Sequence, residues 1–152
     1  MKQLLTFLLC GLSLTIMAQT FSEEAVAAVL MGEAWSEGIP GMTAVADVIR
    51  QRAMEKDRTP LQVVEFHRGR VHAFSCLNGT TLNRLIEKFR SKPDFQQALR
   101  LARMVCRTPD QLPGLVGSAN HYTRTTERPV WAEGRRPVAV IGNHAFYRLN
   151  HY

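Results

Sequence analysis

The sequence predicts an α+β fold, a mainly helical domain that ends in a small antiparallel sheet. Apolar residues recur at helical spacing over about the first two thirds of the chain. The last third instead has short strand-like segments around a two-residue Gly-Asn turn. Helices first and strands last is the order of an α+β domain. The length of 152 residues fits one domain, and 45% hydrophobic residues exclude a disordered chain.

The first segment is an apolar run over residues 4–17, which follows a single charge at Lys2. A membrane span needs about 20 such residues, so the run is too short to cross a bilayer. It is typical of a secretory signal peptide, with cleavage near Ala18 or Thr20; a buried N-terminal core helix is the alternative. We therefore expect a leader over residues 1–19, a mature domain over 20–152, and a location in the periplasm, the cell envelope or the extracellular space. No membrane span is expected after cleavage.

Charge and cysteine content describe the expected mature protein. Loss of the leader removes Lys2, so the net charge of +6 becomes +5. A basic surface attracts polyanions, and the cell wall is the nearest one to an exported protein, although solubility alone also explains the charge. Cys76 and Cys106 remain. They form either one disulfide, closing a loop of about 30 residues, or two small buried thiols.

Five helices are predicted from apolar stripes and local start signals. The first helix opens with a capping box in which Glu23 follows Thr20 by three residues, and it runs to about Ser36. The segment Gly38–Gly41 breaks it. Thr59 followed by Pro60 opens a short helix through Phe66. The five predicted starts are Thr20, Met42, Pro60, the residue after Thr81, and Asp94.

The predicted sheet lies in the last third of the chain. A Pro- and Gly-containing loop over residues 107–118 separates it from the helices. Residues 119–122 are typical of a strand. Residues 138–141 and 144–148 flank Gly142-Asn143, which is a two-residue hairpin turn.

A carboxylate near the end of the first helix is the main chemical candidate. Glu33 has Leu30, Met31, Ala34 and Trp35 as sequence neighbours. Apolar surroundings would favour its protonated form, which is what general-acid cleavage of a glycosidic bond requires. Glu37 lies one helical turn later. Without further information, a Glu at a helix end is more often solvated or a cap.

Several segments resemble those of the spore-cortex-lytic, SleB-type cell wall hydrolase family. That family has two acids in an Ala-Glu-Ala-Arg-Gly-Glu stretch, followed by an Ala/Val-rich helix. Here Trp35-Ser36 replaces its Arg-Gly, and Thr123-Arg124-Thr125 replaces a later Asn-Pro. The resemblance extends over about residues 24–148. Its segments are Glu33-Ala34 with Glu37, residues 45–52, His72–Ser75, Asn120–Tyr122, Trp131 and Ile141–Tyr147.

The resemblance implies a lysozyme-like helical domain that cleaves peptidoglycan between N-acetylmuramic acid and N-acetylglucosamine. By position Glu33 is the single catalytic acid of a lytic transglycosylase. Hydrolysis by a muramidase or glucosaminidase is the alternative and needs a second carboxylate roughly 5–9.5 Å away across the sugar. Glu37 is a candidate for it, although a neighbour on one helix is poorly placed to reach the opposite sugar face. A non-catalytic peptidoglycan-binding protein is the other alternative.

The same resemblance suggests residues that contact the substrate or hold the acid. Ser75 and Tyr122 are candidates to steady Glu33 or orient the sugar, and Asn120 to bind an N-acetyl group. His144 is expected to be a hydrogen-bond centre rather than an acid or base, and Trp35 a core residue rather than a sugar platform. The candidate substrate-binding residues are Glu37, Ser75, Asn120, Tyr122 and His144.

The expected partner is the glycan strand of peptidoglycan. The sequence lacks the GxGxxG, GxxxxGK[ST] and HExxH motifs, so no nucleotide cofactor or zincin metal site is expected. The five histidines have no i,i+4 spacing, and we predict no metal. Scattered basic residues argue against nucleic acid as a partner. We expect a monomer, with oligomeric state left open.

Overall fold

The α+β prediction is confirmed. The computed structural model describes the backbone of residues 2–150 and the side chains of residues 15–150. Its helices are α1 (Lys2–Ala34), α2 (Gly38–Lys56), α3 (Pro60–Glu65), α4 (Leu82–Arg90) and α5 (Phe95–Arg107). Its strands are β1 (His67–Arg68), β2 (Val71–His72), β3 (His121–Arg124), β4 (Ala139–Ile141) and β5 (His144–Tyr147).

Helix α1 is the centre of the domain and packs against each of the other four helices. Residues 25–30 are small or aliphatic on every side, and all are fully buried. A helix that is apolar all round is stable only inside a core. The C-terminal end of α1, which carries Glu33, is therefore rigidly held.

The predicted leader covers the first part of α1. Residue 1 and the side chains of residues 2–14 lie outside the described part of the chain, so leader cleavage stays a prediction. Residues 15–21 are exposed, and burial begins at Glu23. The predicted capping box at Thr20 is not formed, because the helix continues upstream of this residue. The Thr20 hydroxyl instead donates to the Ile16 carbonyl at 2.9 Å. Within the described residues, none of the helices combines the length and apolarity needed to span a membrane.

The junction between α1 and α2 is a 3-10 turn, Trp35–Glu37. The predicted break at Gly38–Gly41 is therefore one turn too late, because those residues form the first turn of α2. Gly38 has a φ of +65°, which redirects the chain. A Cβ atom at Gly41 would lie 2.4 Å from Cβ of Glu37, so the turn folds tightly onto the new helix.

The start predicted at Met42 is four residues late, because α2 begins at Gly38. The predicted starts of α3, α4 and α5 are confirmed. Thr59 and Gln62 form a complete capping box on α3, and the Thr81 hydroxyl accepts a hydrogen bond from the Arg84 amide of α4. Asp94 precedes α5 but does not cap it. Its carboxylate instead accepts the indole N–H of Trp35 at 2.7 Å.

Trp35 was expected to be a core residue, and the structure contradicts this. Its side chain is 40% exposed and packs edge-on against Phe89, with ring centroids 5.9 Å apart. An indole N–H needs a partner, and Asp94 at the surface supplies one.

The sheet has strand order β3-β5-β4, with both pairs antiparallel. Tyr122 pairs with Phe146, and Val140 pairs with Ala145. The predicted hairpin turn is confirmed at Gly142, where φ is +57°. Phe146 is fully buried with Ala44 and Val48 of α2, so the sheet is fixed against the helical layer.

Cys76 and Cys106 are free thiols, each partly buried, so the predicted disulfide between them is not formed. Burial raises the pKa of the Cys106 thiol to about 11. Burial, followed by the nearby Glu33 carboxylate, raises the pKa of the Cys76 thiol well above its usual range. Both thiols therefore stay protonated at neutral pH.

Candidate active site

The carboxylate of Glu33 is held by hydrogen bonds from two other parts of the chain. Its Oε1 accepts the backbone N–H of Cys76 at 2.8 Å and the hydroxyl of Ser75 at 3.2 Å. Its Oε2 accepts the phenolic hydroxyl of Tyr122 at 2.8 Å. Its sequence neighbours Leu30, Met31 and Ala34 are buried in the core, but the carboxylate itself accepts hydrogen bonds from polar donors.

Gly32 explains how the donor segment reaches α1. A Cβ atom at Gly32 would lie 2.7 Å from Cβ of Cys76 and 2.9 Å from its sulfur. Only glycine leaves space for the 3-10 turn Ser75–Leu77 to lie against the helix. This close approach is what puts the Cys76 amide within hydrogen-bond reach of Glu33.

The two oxygens of Glu33 are not equivalent. A carboxylate oxygen has two lone-pair positions. Oε1 accepts two hydrogen bonds and so uses both, whereas Oε2 accepts one, from Tyr122. The oxygen with an acceptor position left for a proton is therefore Oε2.

Tyr122 remains a donor over the working pH range. Burial raises the pKa of its phenol well above the usual value, and the negative charge of Glu33 adds to the effect. A phenol that does not ionise keeps donating to Oε2. The Tyr122 ring also contacts the His144 ring edge-on, with centroids 5.2 Å apart.

Glu33 opens into a cavity of about 380 Å³. Three of the predicted substrate-binding residues, Ser75, Tyr122 and His144, line the same space. Glu127, Arg124 and Arg52 line it too, although they are not among the predicted substrate-binding residues. The full lining is Gly32, Glu33, Arg52, Ala73, Ser75, Tyr122, Thr123, Arg124, Glu127 and His144.

Glu37 lies behind this cavity rather than in it. Its side chain is only 5% exposed, and its Oε1 accepts the backbone N–H of Asn143 at 2.9 Å. Nδ1 of His144 lies 2.9 Å from the same oxygen, at an angle that does not make a hydrogen bond. A Cβ atom at Gly142 would lie 2.8 Å from Cδ of Glu37. The carboxylate therefore ties the α1–α2 junction to the β4–β5 turn and has no face open to a substrate.

Asn120 was expected to bind an N-acetyl group, and its position in the structure argues against this. It is fully buried, and its Nδ2 donates to Glu55 at 2.9 Å and to the Leu149 carbonyl at 2.8 Å. Its Oδ1 accepts the Leu149 amide at 2.9 Å. With these atoms committed and no accessible surface, Asn120 anchors the segment after β5 instead of binding an N-acetyl group.

Glu127 was not predicted, and only one weak signal in the sequence points to it. Glu127 follows Thr123 by four residues, and the Thr123 hydroxyl donates to its Oε2 at 3.2 Å. An exposed Glu in a loop after a strand is unremarkable without the tertiary fold. Across residues 15–150, no group of three or more His, Cys, Asp or Glu side chains is arranged to hold a metal ion.

Comparison with known proteins gives one match. A family model described as Cell Wall Hydrolase matches residues 36–147, which is most of the chain. Neither the curated proteins nor the solved structures contain a match. The matched segment includes Ser75, Tyr122, Glu127 and His144. It begins after Glu33, so the case for Glu33 depends on the geometry described above.

Proposed function

This chain belongs to the cell wall hydrolase family, and on that premise we propose that it cleaves the glycan strand of peptidoglycan with Glu33 as its acid and base. Membership of the family makes it a peptidoglycan-acting hydrolase. The bond we assign is the one between N-acetylmuramic acid and N-acetylglucosamine. The reaction we assign is that of a lytic transglycosylase.

One carboxyl group is enough for this reaction. Protonated Glu33 donates its proton from Oε2 to the glycosidic oxygen, and the bond from that oxygen to C1 of the muramyl residue breaks. The C6 hydroxyl of the same residue then attacks C1 and returns its proton to Glu33. The products are a 1,6-anhydromuramyl end and a free N-acetylglucosamine end. No water is consumed, and Glu33 regains its starting state.

The observation that carries this proposal is the fixed position of the Glu33 carboxylate. Donors from the 3-10 turn and from β3 orient it, while Oε2 retains an acceptor position for a proton. The cavity in front of it has room for a sugar-sized group. A general acid that is already oriented loses little entropy when the substrate arrives.

Hydrolysis is the second candidate, because Glu127 lines the same cavity. A retaining or inverting glycosidase needs two carboxyl groups across the sugar, about 5–9.5 Å apart. Glu37 is too buried to serve as the second group. In a hydrolytic mechanism Glu127 would therefore activate water or act as the nucleophile.

Product analysis distinguishes these reactions. Purified full-length protein is incubated with peptidoglycan, and the released fragments are analysed by mass spectrometry. Transglycosylation yields anhydro-muropeptides, and hydrolysis yields reducing ends that are 18 Da heavier, the mass of one water. Absence of fragments would refute the enzymatic proposal and favour a binding protein.

Matched substitutions assign the acid. Glu33→Gln keeps the shape of the side chain but cannot deliver a proton, so release should stop while the thermal unfolding temperature stays close to that of the wild type. Glu87→Gln, an exposed position on α4, is the control for loss of one negative charge. If Glu127→Gln abolishes release as completely as Glu33→Gln, the two-carboxylate mechanism replaces the proposed one.

We also infer that the protein is exported after removal of residues 1–19. The exposed stretch at 15–21, next to the buried stretch from Glu23 onward, supports a boundary there. N-terminal sequencing of the protein recovered from the cell envelope or medium tests it. Recovery of an intact residue 1 from the envelope would refute cleavage.

A further inference from the structure

A second cavity, of about 540 Å³, adjoins the Glu33 cavity. The two share Arg52, Ala73 and Tyr122 as lining residues, so they lie side by side. We propose that this second cavity binds the peptide stem carried by the muramyl residue, through the carboxylates of that peptide. The inference rests on the proposed function, and it names the substrate class: glycan that still bears its peptides.

The residues that line the cavity are predominantly basic. Four of its lining residues are basic, namely Arg52, Lys56, Arg58 and Arg68, and none of the ten lining residues is acidic. His121, also in the lining, adds no charge: burial, with Arg52 and Lys56 nearby, lowers its pKa to about 4. Arg52 already donates to the Asn120 carbonyl at 2.6 Å, so Arg58 and Arg68 are the cations assigned to the ligand. Two cations on one concave surface favour a ligand with more than one negative charge.

The walls between these cations are apolar and aromatic. Val63, Phe66 and Trp131 line the cavity. The Trp131 ring is fixed edge-on between His121 and Tyr147, with centroid distances of 5.4 and 5.5 Å. The Arg58 guanidinium lies 4.5 Å from the centre of the Phe66 ring. Such a surface accepts the alkyl parts of a peptide while its cations bind the carboxylates.

Position favours the stem over other polyanions of the wall. A peptide stem is covalently attached to the sugar whose bond is cut, so it must lie close to the Glu33 cavity. The shared lining residues Arg52, Ala73 and Tyr122 place the second cavity next to the Glu33 cavity, where an attached peptide can reach it. A separate phosphate polymer has no such tether, and it would gain nothing from a pocket next to the catalytic one.

Binding to the Glu33→Gln protein tests this inference, because no cleavage is needed. Two probes are titrated by calorimetry: the muropeptide disaccharide with its tetrapeptide, and the same disaccharide after an amidase has removed the peptide. We expect about tenfold tighter binding of the peptide-bearing form, the ratio that roughly 1.4 kcal/mol provides. With Arg58→Gln and Arg68→Gln added, the ratio should fall below about threefold.

The control adds Arg84→Gln and Arg100→Gln instead, which remove the same charge from exposed positions on α4 and α5. That pair should keep the tenfold ratio. The inference is overturned by equal affinities for the two probes, by an equal loss in the control pair, or by tighter binding of a glycerol-phosphate oligomer than of the muropeptide. Its failure is separable from that of the proposed function, which is decided by whether the wild-type protein releases glycan fragments.

Discussion

The hydroxyl of Tyr122 offers a direct test of how Glu33 is held. Tyr122→Phe removes only the oxygen that donates to Oε2 at 2.8 Å. The ring stays, and with it the edge-on contact to His144 and the packing against Phe146. The substitution therefore changes the orientation of the acid without opening a space in the sheet.

The size of the effect follows from the kind of bond that is lost. A hydrogen bond to a charged group contributes about 1.5–3 kcal/mol. Water in the open cavity can replace part of the interaction, so we take the lower range, about 1.5–2 kcal/mol. If all of it acts in the transition state, kcat falls roughly 10- to 30-fold. KM should change little, because the hydroxyl is directed at Glu33 and not at the substrate.

Initial rates of glycan release on soluble peptidoglycan fragments measure both constants. Tyr147→Phe is the matched control, because Tyr147 lies on the adjoining strand β5. Its hydroxyl makes no hydrogen bond in the described part of the chain. A loss of less than twofold in Tyr122→Phe, or an equal loss in the control, would refute the role given to Tyr122. A rise in KM with kcat unchanged would instead indicate a substrate contact.

Three further predictions follow from the same contacts. Glu37→Gln should retain more glycan-cleaving activity than Glu33→Gln in the fragment assay, because Glu37 is buried behind the cavity; the reverse order would contradict the assignment of the acid. Gly142→Ala should lower the free energy of unfolding, measured in urea, by about 1–3 kcal/mol more than Gly134→Ala. Both glycines have positive φ, but only the new Cβ at 142 would meet Glu37, at 2.8 Å, so equal losses would refute the contact. The pKa of His121 is lowered from 6.5 to about 4 by its burial, so the unfolded chain binds more protons between these values. The free energy of unfolding should therefore fall as pH drops from 6.5 to 4, and His121→Gln should reduce that slope; an unchanged slope would contradict the burial of a neutral ring.

Local signals in the sequence were sufficient for most of the secondary structure. Thr59-Pro60, Thr81 and Gly142-Asn143 each determine the backbone through a cap or a required φ, and each prediction is confirmed. Thr20 has an equally good cap signature but lies inside α1. A cap signal cannot tell whether the helix extends upstream, because that depends on residues outside its own few positions.

The short hairpin of β1 and β2 was not predicted. Its two strands have two residues each, too few for an alternating pattern to be recognised, and its one signal is Gly69 at a φ of +59°. The hairpin matters because it precedes Ser75 and Cys76 in the chain, which hold Glu33. The site thus depends on an element that periodicity does not detect.

The sequence by itself determined that Glu33 would lie near the end of an apolar helix, and the family resemblance suggested Ser75 and Tyr122 as residues that hold it. Only the tertiary structure decided that Asn120 and Glu37 are buried and hydrogen-bonded within the protein. It also decided that Glu127 lines the Glu33 cavity, and that basic residues far apart in the sequence line a second cavity. The reason is physical. Caps, turns and periodicity act over a few residues, whereas burial and the direction of a side chain depend on segments far apart in the chain. Glu33 and Ser75 are 42 positions apart, and Glu37 and Asn143 are 106.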